Sequence, residues 1–140
     1  MHHVAIMTKS WRLIPKILSG QKTIESRWYR TRRTPWDKIS VGDTVYFKNS
    51  GEPVIAKAEV SKVLQFEIAT VADAQKIADT YGKKICLVQS DVRQWGTVPK
   101  YCILIELAHP AEVRPFHIDK IGFGAGAAWL TLPNISTIRQ

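Results

Sequence analysis

Apolar and polar residues alternate with a period of two along several stretches of this 140-residue chain. That spacing suits half-buried strands, because successive side chains leave a strand on opposite faces. Val54 to Val63 is the clearest case: Val54, Ala56, Ala58 and Val60 share one face, and Lys57, Glu59 and Ser61 the other. From Tyr101 to Leu107, Tyr101, Ile103, Ile105 and Leu107 lie opposite Cys102, Leu104 and Glu106, so that strand is expected to be covered on both sides. His3 to Met7 alternates weakly and reads as a first strand. Thr44 to Lys48 follows a Val41-Gly42-Asp43 turn, and Asn49 to Pro53 closes a hairpin onto the strand at Val54. Ile85 to Gln89 fits either a strand or a helix.

Two segments carry the helical period instead. Leu13, Ile14, Ile17 and Leu18 form an apolar stripe between Ser10, a suitable N-cap, and Gly20, a suitable stop. Pro15 belongs only in a first turn, so either the residues from Trp11 are irregular or the regular helix begins near Ile14. Thr70 precedes a helix over residues 71–81, with Val71, Ala74, Ile77 and Ala78 on one face and Gly82 ending it. Beyond it, Ala111 to Phe116 reads as an edge element because of Pro115, and Gly122 to Trp129 as a glycine-rich turn. That turn lacks both the P-loop and the dinucleotide spacing, so a structural turn is expected there.

Between the first helix and the first long loop lies Gly20-Gln21-Lys22-Thr23-Ile24-Glu25-Ser26-Arg27. On a strand, Thr23, Glu25 and Arg27 point one way and Lys22, Ile24, Ser26 and Trp28 the other. Lys22 stands where the strand leaves the turn, so its long stem reaches over the strand mouth toward Glu25 and Arg27. The expected product is one carboxylate held between two cations.

This GxKxxExR spacing follows an amphipathic segment, Trp11 to Gly20, and precedes a Gly42-Asp43 turn and Val-rich strands. In that order it resembles the ASCH family of the PUA-like superfamily, from Trp11 to about Val63. The resemblance implies an α+β domain: a small PUA-like β-barrel of mostly antiparallel strands flanked by two or more helices, handling RNA or nucleotides. Some ASCH-like proteins are amidohydrolases on acetylated cytidine that use a lysine, a threonine and a glutamate, and another is a ribonuclease. Those hydrolases place the threonine three positions after the lysine. Here Glu25 stands at that position and Thr23 is next to Lys22, and a carboxylate does not replace hydroxyl chemistry.

Composition fits one ordered domain spanning residues 1–140: 45% of residues are hydrophobic, 23% charged, and no repeat or low-complexity segment occurs. No signal segment or stretch long enough to cross a bilayer is evident, so a cytoplasmic protein is expected. Cys86 and Cys102 sit in apolar runs and read as buried, reduced thiols, and the histidines show no metal-ligand spacing. Neither a metal nor a cofactor is expected.

The net charge of +8 is concentrated at the front. Residues 1–40 contain nine Lys and Arg against Glu25 and Asp37, leaving only +1 for the last hundred. Within that front, Arg27-Trp28-Tyr29-Arg30-Thr31-Arg32-Arg33-Thr34-Pro35-Trp36 interleaves guanidinium groups with rings. Arginines fork onto phosphates and exposed rings stack on bases, a chemistry suited to single-stranded or modified RNA. Trp28 has a second reading, as a ring packed into the barrel from its strand position.

The expectation is an RNA-binding module whose cleft is formed by Lys22, Arg27, Tyr29, Arg30, Arg32, Arg33 and Trp36. The alternative is a metal-independent hydrolase of RNA or of an acylated nucleoside, with Lys22 and Glu25 as acid and base. Glu25 as a structural ion-pair partner is commoner than either catalytic role.

Overall fold

The computed structural model of the chain describes residues 1–124 and 126–140. It comprises β1 (His2–Met7), α1 (Leu13–Leu18), β2 (Ile24–Tyr29), β3 (Thr44–Asn49), β4 (Val54–Glu67), α2 (Val71–Ile85), β5 (Tyr101–Phe116) and β6 (Trp129–Leu132), with 3₁₀ turns at Lys9–Trp11, Val92–Gln94 and Ile135–Thr137. One six-stranded sheet runs in the order β2-β5-β4-β3-β1-β6. Among the described residues only β1 and β3 pair in parallel. The long β4–β5 pair slips register between Val54 and Ala56, Lys57 and Glu59, and Val60 and Lys62. Such bulges raise local twist, and the sheet, mostly antiparallel as the resemblance implied, curls into an α+β half-barrel.

The curl makes an inside and an outside. Inside, Ala5, Val45, Phe47, Ala58, Ile103 and Ile105 pack with α1 residues Leu13, Ile14 and Ile17. On the opposite face of β2 and β5, Ile24, Cys102 and Leu104 are covered by α2 through Ala74, Ile77, Ala78 and Ile85. Strand β5 is therefore buried on both faces over its first half, as its alternation predicts. Past Leu107 it pairs only with β4, since β2 reaches no further than Glu106. The 111–116 segment is thus a continuation of β5 that forms a local edge, where the missing N–H groups of Pro110 and Pro115 cost no ladder bond.

The predicted Ser10 cap and the predicted end of α2 both move, while the irregular start followed by a helix from near Ile14 is borne out. Ser10 lies inside the 3₁₀ turn, and α1 starts at Leu13 behind Arg12, which has a left-handed backbone with φ of 54°. A helix running from Trp11 would ask Pro15 for an N–H it lacks. Helix α2 passes through Gly82 and ends at Ile85, so residues 86–89 form neither a strand nor a continued helix. Gly82 instead makes room for the returning chain: a Cβ there would sit 3.3 Å from Leu87 Cδ1, and Leu87 N–H donates to the Gly82 carbonyl at 3.1 Å. The stop is Cys86, at φ of 60°. That position leaves Cys86 half-buried, whereas Cys102 is buried as expected. Thr70 caps α2 as predicted, within a reciprocal box with Asp73. Ala125, inside the predicted glycine-rich turn, lies outside the described residues.

Candidate nucleic-acid interface

The GxKxxExR segment ends up at the seam of the half-barrel. Gly20, at φ of 82°, turns the chain out of α1, and Thr23 N–H donates to the Lys84 carbonyl at the end of α2. This pins Lys22 beneath the last turn of α2. Lys22 Nζ donates to the carbonyls of Ile85 at 2.6 Å and Ile24 at 2.8 Å, and it lies 3.3 Å from Glu25 Oε1. Ile85 is the final residue of α2, so its carbonyl has no partner within the helix. The ammonium satisfies it at the negative end of the helix dipole. The ammonium thus donates to two carbonyls and pairs with one carboxylate, and Lys22 is 2% exposed.

Glu25 is equally enclosed, at 3% exposure. Its Oε1 also accepts from Ser26 N–H at 3.0 Å, and its Oε2 accepts from Arg27 Nη2 at 3.1 Å. Burial would raise its pKa, but Lys22 and Arg27 on either side outweigh burial and hold it below the usual carboxylate range. Glu25 is therefore an anion near neutrality, with little capacity to act as an acid.

Arg27 crosses the gap between the two ends of the sheet order. It leaves β2, donates from Nη1 to the Ala128 carbonyl at 3.3 Å, and lies over the Trp129 ring of β6 at 5.0 Å. Its Nη2 also touches Met7 Sδ at 3.4 Å.

Above this charged floor opens a cavity of about 620 Å³. Its polar side is Lys22, Glu25, Ser26, Arg27 and Tyr29, and its walls include Leu13, Trp11, Trp28, Leu87, Val88 and Trp95. Trp28 and Trp95 meet edge to face with centroids 4.7 Å apart. Each indole N–H is held, Trp28 by Ser26 Oγ at 2.9 Å and Trp95 by the Gln89 carbonyl at 2.8 Å. Trp11 is 49% exposed at the rim. Trp28 and Trp95, in contact with each other, make one aromatic wall of this space above a floor with one excess positive charge.

The predicted site residues divide into two groups. Lys22, Glu25, Arg27 and Tyr29 line the cavity; Arg30, Arg32, Arg33 and Trp36 do not. Those four lie on the loop after β2, where Arg32 pairs with Glu67 and faces Trp36 and Tyr101 at 5.8 and 5.6 Å. Trp36 is half-buried edge-on to Tyr101 and packs against the inner core, so it is a loop anchor with only part of its ring open. Tyr29 joins the groups: it lines the cavity, donates its hydroxyl to the Thr34 carbonyl at 3.1 Å, and carries the Arg33 guanidinium over its ring at 5.8 Å. Sequence reasoning missed Trp95, Trp11, Gln89 and Gln94 as cavity residues. Trp28 faces the cavity, but it is not packed into the barrel as the second reading had it: it packs on the opposite face of the sheet, under α2.

Neither a protein-family model nor a curated protein matches this sequence. Solved structures do. ASCH from Zymomonas mobilis superposes with a TM-score of 0.70 at 19% identity, covering 97% of this chain and 90% of that one. Two point mutants of the same protein give TM-scores of 0.70 and 0.69 at 19% and 18% identity. The agreement extends over the second half of the chain, where the sequence resemblance fades. With its curled six-stranded sheet, its two helices and this match over nearly its whole length, the chain has the fold of the ASCH structure from Zymomonas mobilis.

Proposed function

We propose that this protein is a binding module for single-stranded RNA that takes one base into the Trp28–Trp95 cavity and carries the flanking phosphates on Arg30, Arg32 and Arg33. The observation that supports this reading best is the junction at Tyr29. The same ring forms part of the cavity wall and underlies Arg33, so an aromatic pocket and a basic strip adjoin. Likeness to the ASCH fold agrees with it. Stacking a splayed base is worth about 1–3 kcal/mol by alanine substitution, and phosphate contacts add salt-sensitive affinity.

Turnover by Lys22 and Glu25 has less support. A buried lysine bonded to two carbonyls and a carboxylate held ionised between two cations form a fixed electrostatic floor, not a proton relay. Thr23 is exposed and is not among the cavity residues.

The test is fluorescence anisotropy with a labelled single-stranded RNA oligomer at two salt concentrations, the same samples being run on a gel for cleavage. Binding should weaken with salt and leave the RNA intact. Trp95→Ala should weaken it about tenfold or more, and neutralising Arg30, Arg32 and Arg33 together should flatten the salt dependence. Absence of binding at low salt would overturn the proposal, and cleavage would replace it with the hydrolase reading.

A further inference from the structure

We infer that His3 is a positioning residue for the Arg27 guanidinium, acting through the indole of Trp129, and that it makes ligand binding at the cavity sensitive to acid. The second half of this inference rests on the binding function proposed above; the first does not.

His3 is on β1, fully buried, and meets the Trp129 indole at its N–H edge, while Arg27 lies over the ring of the same residue. Its Nε2 lies 2.8 Å from Asp43 Oδ2. Asp43 is itself fixed, accepting Ser40 N–H at 3.0 Å and the Met1 amino group at 3.2 Å. A carboxylate at Nε2 selects the tautomer with its proton on that nitrogen, which leaves Nδ1 as an acceptor. Trp129 Nε1–H donates to this Nδ1 at 3.1 Å, and the Thr131 hydroxyl oxygen lies 3.0 Å from the same nitrogen. The ring so oriented is the surface on which Arg27 rests, and the preceding carbonyl, Ala128, accepts from Arg27 Nη1. Asp43, His3, Trp129 and Arg27 thus form one chain of contacts ending at the cavity floor.

Thr131 makes the chain switchable. A second proton on His3 has to sit at Nδ1, where the Thr131 oxygen can accept it, and the buried Trp129 N–H then loses its acceptor. The indole can regain one only by moving, and the Arg27 guanidinium stacked on it moves too. The charged groups that face His3 are Asp43, which favours the proton, and the Met1 amino group and His2, which oppose it. Burial opposes it most, so the step falls on the acid side of the ordinary histidine range. Asp43 stays ionised there, because its own pKa lies below the usual carboxylate value: burial raises it, but bonds from His3 and Ser40 prevail.

The experiment is a pH titration from 8 to 5 followed by ¹H–¹⁵N NMR on the free protein and by anisotropy with the same RNA oligomer. The Trp129 indole resonance, identified by its loss in Trp129→Phe, and the Arg27 Nε–H resonance should shift together with one midpoint below pH 6.5. RNA affinity should fall at least fivefold across that midpoint. His3→Gln retains a donor for Asp43 and an acceptor for Trp129, so it should bind within about twofold of the parent at pH 7.5 and lose both the shift and the pH step. His2 also titrates, and an unchanged step in His3→Gln would assign it there and overturn the inference. Indole and guanidinium resonances that titrate independently, or not at all, would overturn it as well. If the parent fails to bind RNA at pH 7.5, the proposed function falls, while the free-protein resonances still decide whether His3 positions Arg27.

Discussion

Replacing Lys22 with methionine isolates what the buried lysine contributes. Methionine nearly matches the volume and stem of lysine but removes the ammonium, so no large cavity is opened. Three losses follow: the Ile85 carbonyl at the end of α2, the Ile24 carbonyl, and one cation beside Glu25. Breaking a buried ion pair from one side costs about 3–5 kcal/mol, because the other charge stays behind. The two abandoned carbonyls are each worth about 1–3 kcal/mol, an amount that overlaps with the first. Arg27 remains next to Glu25 and limits the damage. A total of about 4 kcal/mol is expected, a large share of the 5–15 kcal/mol typical of a domain. With a urea m-value of about 2 kcal/mol/M, the unfolding midpoint should fall by about 2 M. Equilibrium urea unfolding followed by circular dichroism measures this. Adding Glu25→Leu to Lys22→Met should cost clearly less than the sum of the two single changes, since the stranded carboxylate is gone. A loss below about 1 kcal/mol for Lys22→Met alone would refute the view of Lys22 as a buried cap on α2.

Acid should destabilise the fold in two stages. His3 has a folded pKa below its ordinary value, so its contribution is complete above about pH 6.5 and is lost as pH falls through the folded value; Glu25 and Asp43 behave likewise from about pH 4.5 downward. The urea midpoint should therefore hold between pH 7 and 8 and decline below 6.5, and a midpoint that rises on acidification would contradict the assignments. Thr70→Ala removes the hydroxyl that accepts Asp73 N–H at 3.2 Å, which should cost about 1 kcal/mol in the same assay. Burial holds the Cys102 thiol far above its ordinary pKa. Under native conditions an alkylating reagent should label the half-buried Cys86 and spare Cys102, as read by mass spectrometry.

Local pattern by itself determined much of this molecule. Alternation placed β4 and the covered first half of β5, Thr70 marked the start of α2, and the i, i+2 spacing of Glu25 and Arg27 put both heads on one face with Lys22 in reach. Each of these depends on residues a few positions apart, where strand and helix periods decide the outcome. Gly82 misled because a glycine within a helix and one that ends it look alike until the chain folds back, and here Leu87 needs the space. The rest was decided by sheet order and curl. Lys22 is buried because the end of α2 arrives above it, Trp95 is brought to Trp28 by the connection between α2 and β5, and His3 finds Trp129 because β1 and β6 are neighbours. A sequence read along one chain carries no record of which strands become adjacent. The two ends of this sheet face one another only after bulges in β4 and β5 have bent it, and Arg27 acquires its shelf on Trp129 only then.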